Sequence, residues 1–372
     1  MCQHDANHLW LLPGPCDVPY ERLQQRGIRI ESGHGPDWHR QYTDLISRLQ
    51  RLLSCAGGVF VLPGNAHLGL EIALRNLTQP DGHVLAVENG HWGRRFAEIA
   101  ESCGFSVSRL SFPDGEPICT SRICAALHEF EYDTLTLVHG ESSTGVLNNI
   151  SEVIKACNSS DTSLVIDAVA TAGAVSTCEV SNARCTLVFS VVKAIGSECG
   201  FVVLGLSQSA SDLICMRKHH VGYFSDINIW HSCLKNSAKL VPTVGSISVS
   251  QFRVLSAAIM AWETEGSECR FARHKLASRV LRSELRNLGF RTIGDKNPLP
   301  TITAAYVPLR INSSRLVTAL TSENVYIDTG IGSDFDRIIR IGHMDEGARP
   351  AMIEEFLQRL RAVLHKMLRE NK

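Results

Sequence analysis

Ser163-Leu164-Val165-Ile166-Asp167-Ala168-Val169 and, a little further on, Cys185-Thr186-Leu187-Val188-Phe189-Ser190-Val191-Val192-Lys193 decide the fold. Each is a short run rich in Val, Leu and Ile that ends on a polar or charged side chain. Runs of this length with no polar alternation are read as strands buried on both faces. Two more, TLTLVHG (134–140) and FVVLGLS (201–207), lie on either side. Further out, GVFVLP (58–63) leads into the helical pattern HLGLEIALRNL (67–77). HVLAVE (83–88) leads into RRFAEIAESCG (94–104), where Gly104 is a helix stop. Strands alternating with helices predict a mostly parallel α/β sheet flanked by helices.

The texture changes after about residue 246. SISVSQFRVLSAAIMAWETEG (246–266) and HKLASRVLRSELRNLG (274–289) read as long helices, TITAAYVPL (301–309) and RIIRIGH (337–343) as strands, and MIEEFLQRLRAVLHKML (352–368) as a last amphipathic helix. This predicts an extended arm over 1–20, a large domain over 21–262 and a smaller C-terminal α+β domain over 263–372. Pro13 and Pro15 disfavour helix in the arm.

The 372 residues suffice for more than one core. Hydrophobic residues make up 44% and charged residues 20%, the balance of a folded rather than a disordered chain. A net charge of -1 gives no electrostatic footprint for nucleic acid or an anionic membrane. No apolar run approaches the roughly 18 to 20 residues of a membrane span, and neither end reads as a secretory or peroxisomal address. The 13 cysteines are odd in number and include no C-x-x-C pair, which argues against a zinc site and for reduced thiols. A cytoplasmic protein without a metal is expected.

Ligands of open α/β sheets bind beyond the carboxyl ends of the strands. Five such turns carry suggestive residues. The turn through Asn65, Ala66 and His67 opens a helix and offers backbone N–H groups to a phosphate, although a plain N-cap at Asn65 explains it equally. Trp92, held between Gly90 and Gly93, can lie flat on an aromatic ligand or be a core residue. HGESSTG (139–145) packs three hydroxyls and a carboxylate at a strand end, as a ligand contact or a capped turn. Asp167, embedded in an apolar strand, is costly to bury without a cation such as a protonated pyridine nitrogen. Lys193, at the end of an apolar strand, is a Schiff-base candidate or a snorkelling structural lysine.

Taken in order, LLPGP (11–15), GNAHLGLEIAL (64–74), VENGHWGRRFAEIAESCG (87–104), VHGESSTGVLNNI (138–150), LVIDAVAT (164–171), SVVKAIGSECGFVVLGLS (190–207) and IIRIGH (338–343) resemble the class V aminotransferases, which are pyridoxal-phosphate enzymes of fold type I. The texture is nearest to alanine–glyoxylate and 2-aminoethylphosphonate–pyruvate transaminases. The resemblance implies that Lys193 carries pyridoxal 5'-phosphate covalently and moves the α-proton, while Asp167 keeps the ring nitrogen protonated. It implies that Trp92 stacks on the ring, Val169 backs the opposite face, Ser142 sits near the ring hydroxyl, and Asn65, Ala66 and His67 receive the phosphate. Thr243 would assist the cofactor of a partner subunit in a homodimer, and Arg340 would clamp a substrate carboxylate; the alternative for Arg340 is a surface ion pair.

The chain departs from the family pattern at four places. Val192 and Leu240 stand where relatives carry hydrogen-bonding side chains for the phosphate, Asn65 and Ala66 replace a common Ser-Gly pair, and Asp345 follows His343 and Met344 where a second glycine is frequent. The implied reaction moves an amino group from a small amino acid or aminophosphonate to a small 2-oxo acid, pyruvate or glyoxylate. A lyase, or another reaction of the same cofactor, is the alternative enzyme reading. A non-catalytic relative is the third; intact Lys193 and Asp167 argue against it, and the altered phosphate turn argues for it. A cysteine desulfurase lacks a cysteine in a suitable context.

Overall fold

The computed structural model describes residues 8–28, 33–235, 242–332 and 335–370. Its centre is a seven-stranded sheet of β1 (Gly58–Gly64), β2 (His83–Glu88), β3 (Ser106–Ser111), β4 (Thr134–Val138), β5 (Ser163–Asp167), β6 (Cys185–Ser190) and β7 (Gly200–Leu206), in the order β1-β7-β6-β5-β4-β2-β3. Neighbours from β6 through β3 are parallel. Only β7 runs antiparallel, pairing Val202 with Ser190 on one side and with Leu62 on the other. The sequence had put β7 with the parallel runs. The difference has a simple cause: residues 191–199 contain no helix, and a parallel crossover needs a dozen or more residues.

Both faces of the sheet are covered. Within β5, Leu164 and Ile166 join one core while Val165 joins the other; within β6, Leu187 and Phe189 face one side and Val188 the opposite side. The period of two along a strand places these neighbours on opposite faces. One face packs on α1 (Pro36–Leu53), with Tyr42 and Leu49 fully buried. The other packs on α2 (Ala66–Leu77) and α3 (His91–Ser102), through Leu70, Leu74 and Phe96. This two-sided cover explains the apolar runs read from the sequence.

Two long helices, α4 (Val249–Glu265) and α5 (Ser267–Asn287), meet at Gly266. A four-stranded antiparallel sheet follows, built of β8 (Arg291–Thr292), β9 (Ile302–Tyr306), β10 (Asp328–Thr329) and β11 (Ile338–Gly342) in the order β8-β9-β11-β10. Ile339 and Ile341 of β11 share a separate core with Leu281 and Leu285 of α5 and with Phe356 and Leu360 of the last helix, α6 (Pro350–Glu370). Leu9 and Leu11 enter the same core, and Leu9–Trp10 pairs in parallel with Val325–Tyr326. The extended segment thus reaches the large sheet from the C-terminal one. Among the described residues no helix is long and apolar enough to cross a membrane.

Candidate active site

The carboxyl ends of β1, β2, β4, β5 and β6 lie along one edge of the large sheet and surround a cavity of about 270 Å³. Eight of the residues named from the sequence line it: Asn65, Ala66, His67, Trp92, Ser142, Asp167, Val169 and Lys193. Arg340 and Thr243 do not. The lining also includes Arg95, Phe96, Gly140, Ser190 and Val192. Of these, Ser190 had a readable signal, a hydroxyl on the last residue of a buried strand. Arg95 had none, since an arginine inside a helix is most often a solvated one.

Asp167 is the last residue of β5 and is buried. Its Oδ1 accepts from the Val169 amide at 2.9 Å. Among the described residues it has no cationic partner in an ion pair. Burial therefore dominates and pushes its carboxyl up to about 7, with the Val169 amide and Lys193 pulling the other way. A buried carboxylate short of a cation is a ready acceptor for a protonated ring nitrogen.

Lys193 follows β6 in the turn to β7. Its Nζ donates to the carbonyl of Pro13, so the N-terminal segment closes over it. A side chain on Gly14, whose φ is +135°, would collide with the lysine stem. Burial and the guanidinium of Arg340 lower the ammonium to about 8. Lowering the ammonium in this way raises the share of free amine, the form that can attack a carbonyl or accept a proton.

Two helices aim their N-termini at the cavity. In α2, Asn65 caps by accepting from the Leu68 amide at 3.2 Å. The cap explanation and the anion explanation are compatible, because the amides of Ala66 and His67 keep no protein partner among the described residues. In α3 the cap is Glu141, from a different strand end. Its buried carboxylate accepts from the amides of Trp92 (3.0 Å), Gly93 (3.1 Å) and Ser143 (3.1 Å), and from the Ser143 hydroxyl at 2.5 Å. Burial pushes this carboxyl up, and the four donors restrain it. Glu141 thus fixes Trp92, whose Nε1 is buried without a partner among the described residues, and Ser142 beside it. The sequence named the loop but not this role.

Arg340 sits in the middle of β11 and is buried, as its flanking isoleucines predicted. It is also ion-paired: Nε donates to the Thr329 carbonyl at 2.8 Å and Nη2 to Asp328 Oδ2 at 2.7 Å. It lies outside the cavity lining, and its charge lowers the Lys193 ammonium. Thr243 is buried away from the lining, with its hydroxyl donating to the Gly245 carbonyl at 2.6 Å. Leu240 lies outside the described residues.

Behind Lys193 lies a cluster the sequence did not reveal. Asp345 is fully buried at φ +49°, a left-handed conformation that Asp tolerates better than most residues. Its carboxylate accepts from Arg22 at 2.5 Å and from Arg270 at 2.7 Å. Arg22 also donates to the Gly196 carbonyl, and Arg270 to the carbonyls of Gly173 and Ala194. Two arginines tied to one carboxylate therefore fix the backbone on both sides of the lysine loop. Asp345 occupies the left-handed position and holds an ion network.

The donor set fits pyridoxal phosphate: a lysine near neutrality, a buried carboxylate short of a cation, an indole wall, and free amides at a helix start. Residues 20–341 match the family profile described as aminotransferase class-V. The chain is a class V aminotransferase. Its relatives include the alanine–glyoxylate aminotransferase of Rattus norvegicus, 29% identical over 367 residues, covering 96% of this chain and 87% of the rat protein. The pyridoxamine–pyruvate transaminase of Mesorhizobium japonicum is 24% identical over 357 residues, covering 94% of this chain and 89% of its own. The crystal structure of ureidoglycine–glyoxylate aminotransferase from Bacillus subtilis superposes with a TM-score of 0.91 at 22% identity, over 100% of this chain and 96% of the other. Like its family, this aminotransferase depends on pyridoxal phosphate.

Proposed function

We propose that this class V aminotransferase moves an amino group from a small donor, of the alanine, serine or aminoalkylphosphonate type, to pyruvate or glyoxylate. The observation that carries the reading is the meeting of Lys193 and Asp167 in one cavity of about 270 Å³. The activities of the relatives, which act on alanine, pyridoxamine or ureidoglycine with glyoxylate or pyruvate, support the same class.

Pyridoxal phosphate, when bound, supplies a carbonyl that takes up and returns an amino group and a ring that accepts electrons. The residues of the chain do the rest. The amides of Ala66 and His67 hold the phosphate, at the positive end of α2. Trp92 would lie against one ring face and Val169 against the other, and Ser142 would meet the ring hydroxyl. Asp167 would hold a proton on the ring nitrogen. Lys193 would hold the cofactor and would serve as the base that moves the proton at the donor's α-carbon. Arg340 receives the substrate carboxylate on its planar fork, exchanging part of its pairing with Asp328. Val192, facing the cavity without a polar atom, leaves phosphate binding to the helix amides.

A homodimer, with Thr243 serving the partner's cofactor, and a cytoplasmic setting complete the proposal. A matrix of alanine, serine and 2-aminoethylphosphonate against pyruvate and glyoxylate, with products identified by mass, tests the substrate class. Turnover of at least one pair is expected; turnover of none, with cofactor bound, would refute it.

A further inference from the structure

A second cavity, of about 790 Å³, opens between α5 and the segments around Leu147, Ala174–Ser176 and Asn297–Pro300. One wall is a stripe of cations. Lys275, Arg279, Arg282 and Arg286 follow one another at intervals of four, three and four residues, so they share one face of α5. Against them the lining offers one carboxylate, Asp295. In a chain of net charge -1, this is a local concentration of positive charge.

The stripe is only partly neutralised. Asp295 meets Arg282 at 3.1 Å and Arg286 at 3.4 Å. Among the described residues, Lys275 and Arg279 form no ion pair and remain exposed. Arg282 forms the floor: it is buried, its Nη1 donates to the Ile293 carbonyl at 2.6 Å, and its Nη2 to the Gly145 carbonyl at 2.9 Å. Carbonyl dipoles do not cancel a guanidinium charge, and its Nε is buried with no partner. Burial lowers the protonation tendency of this arginine, the mark of a cation held in a poorly solvated place. An ordinary solvated helix face would spread such charges over a convex surface; here they line a concavity wide enough for a small molecule.

We propose that this cavity is a second binding site, distinct from the cofactor cavity, for a compact multivalent oxyanion such as a small phosphate ester or polycarboxylate. Lys275 and Arg279 would contact it directly. Arg282 would supply charge from the floor, and Asp295 would fix the two arginines nearest to it. The size of the cavity excludes an extended polyanion. Through Gly145 the site touches the loop that carries Ser142 into the cofactor cavity.

The test is isothermal titration of the cofactor-loaded enzyme with pyrophosphate and with citrate, in the wild type and in Lys275→Ala/Arg279→Ala and Lys275→Glu/Arg279→Glu. Both pairs are exposed and lie outside the catalytic machinery, so folding and transamination in the absence of added anion should be unchanged. Saturable binding of at least one probe is expected, weakened at least tenfold by the alanine pair and abolished by charge reversal. Which probe binds separates a phosphate ester from a polycarboxylate. Failure of both to bind, or equal binding by all three proteins, overturns the proposal, the latter because the anion would then sit in the active site.

Discussion

Asp167 and Lys193 were legible because each breaks an apolar strand pattern at its end, where an uncompensated charge needs a reason. Their tuning was not legible, since it depends on burial and on Glu141 and Arg340, which only the fold brings near. In the cofactor-free protein, Asp167 folds with a carboxyl near 7 against about 3.9 unfolded. The folded state then holds more protons between those values, so stability falls as pH rises from about 4 to 7. Lys193 acts in the opposite sense: its ammonium, lowered to about 8, makes stability rise from there towards about 10.4. Urea melts across pH 4 to 7 should show the first slope in the wild type and a flatter one in Asp167→Asn; an unchanged slope would place the raised carboxyl elsewhere. With cofactor bound, the same substitution should slow turnover on the order of a hundredfold or more. Arg340→Lys should keep the cofactor and lose about 1.5–3 kcal/mol of transition-state binding, roughly ten- to hundredfold in kcat/KM. Near-normal kcat/KM in that variant would leave Arg340 with only its structural pairing to Asp328.

The strands and helices of the large sheet were readable from their periodicity, and most bounds fall within a few residues of those predicted. What periodicity could not give was the direction of β7, set by the short connection before it, or the capping of α3 from another strand. Glu141 lies about fifty residues from the α3 amides of Trp92 and Gly93, so no local pattern announces this cap. Glu141→Gln replaces an acceptor oxygen by an NH2 that faces amide donors, and a buried polar group loses its partners. Destabilisation of about 1–3 kcal/mol is expected, read as a lower urea midpoint together with a changed fluorescence of Trp92, relative to the same substitution in a Trp92→Phe background. An unchanged midpoint would mean that the cap contributes nothing to holding α3 in place.

At the scale of the molecule, the N-terminal segment, the large sheet and the C-terminal sheet converge on the lysine loop. Arg22 comes from the segment before α1, Ala194 and Gly196 from the loop that follows β6, Arg270 from α5 and Asp345 from the turn that follows β11. The sequence signalled three regions but not this knot, because its members are more than seventy residues apart. Asp345→Gly would keep the left-handed backbone, take the closest anion from buried Arg22 and leave buried Arg270 with Glu265 alone, a loss of about 3–5 kcal/mol; a melting curve like the wild type's would show that the arginines find other partners. The central claim is that the assembled site keeps an amino group and passes it on. The direct measurement loads the enzyme with one equivalent per site of 15N-alanine, removes small molecules by gel filtration, and then adds glyoxylate. The account predicts one equivalent of pyruvate in the first step, 15N retained by the protein, and 15N-glycine in the second. Ammonia released in the first step, with no label left on the protein, would contradict it and make the enzyme a lyase.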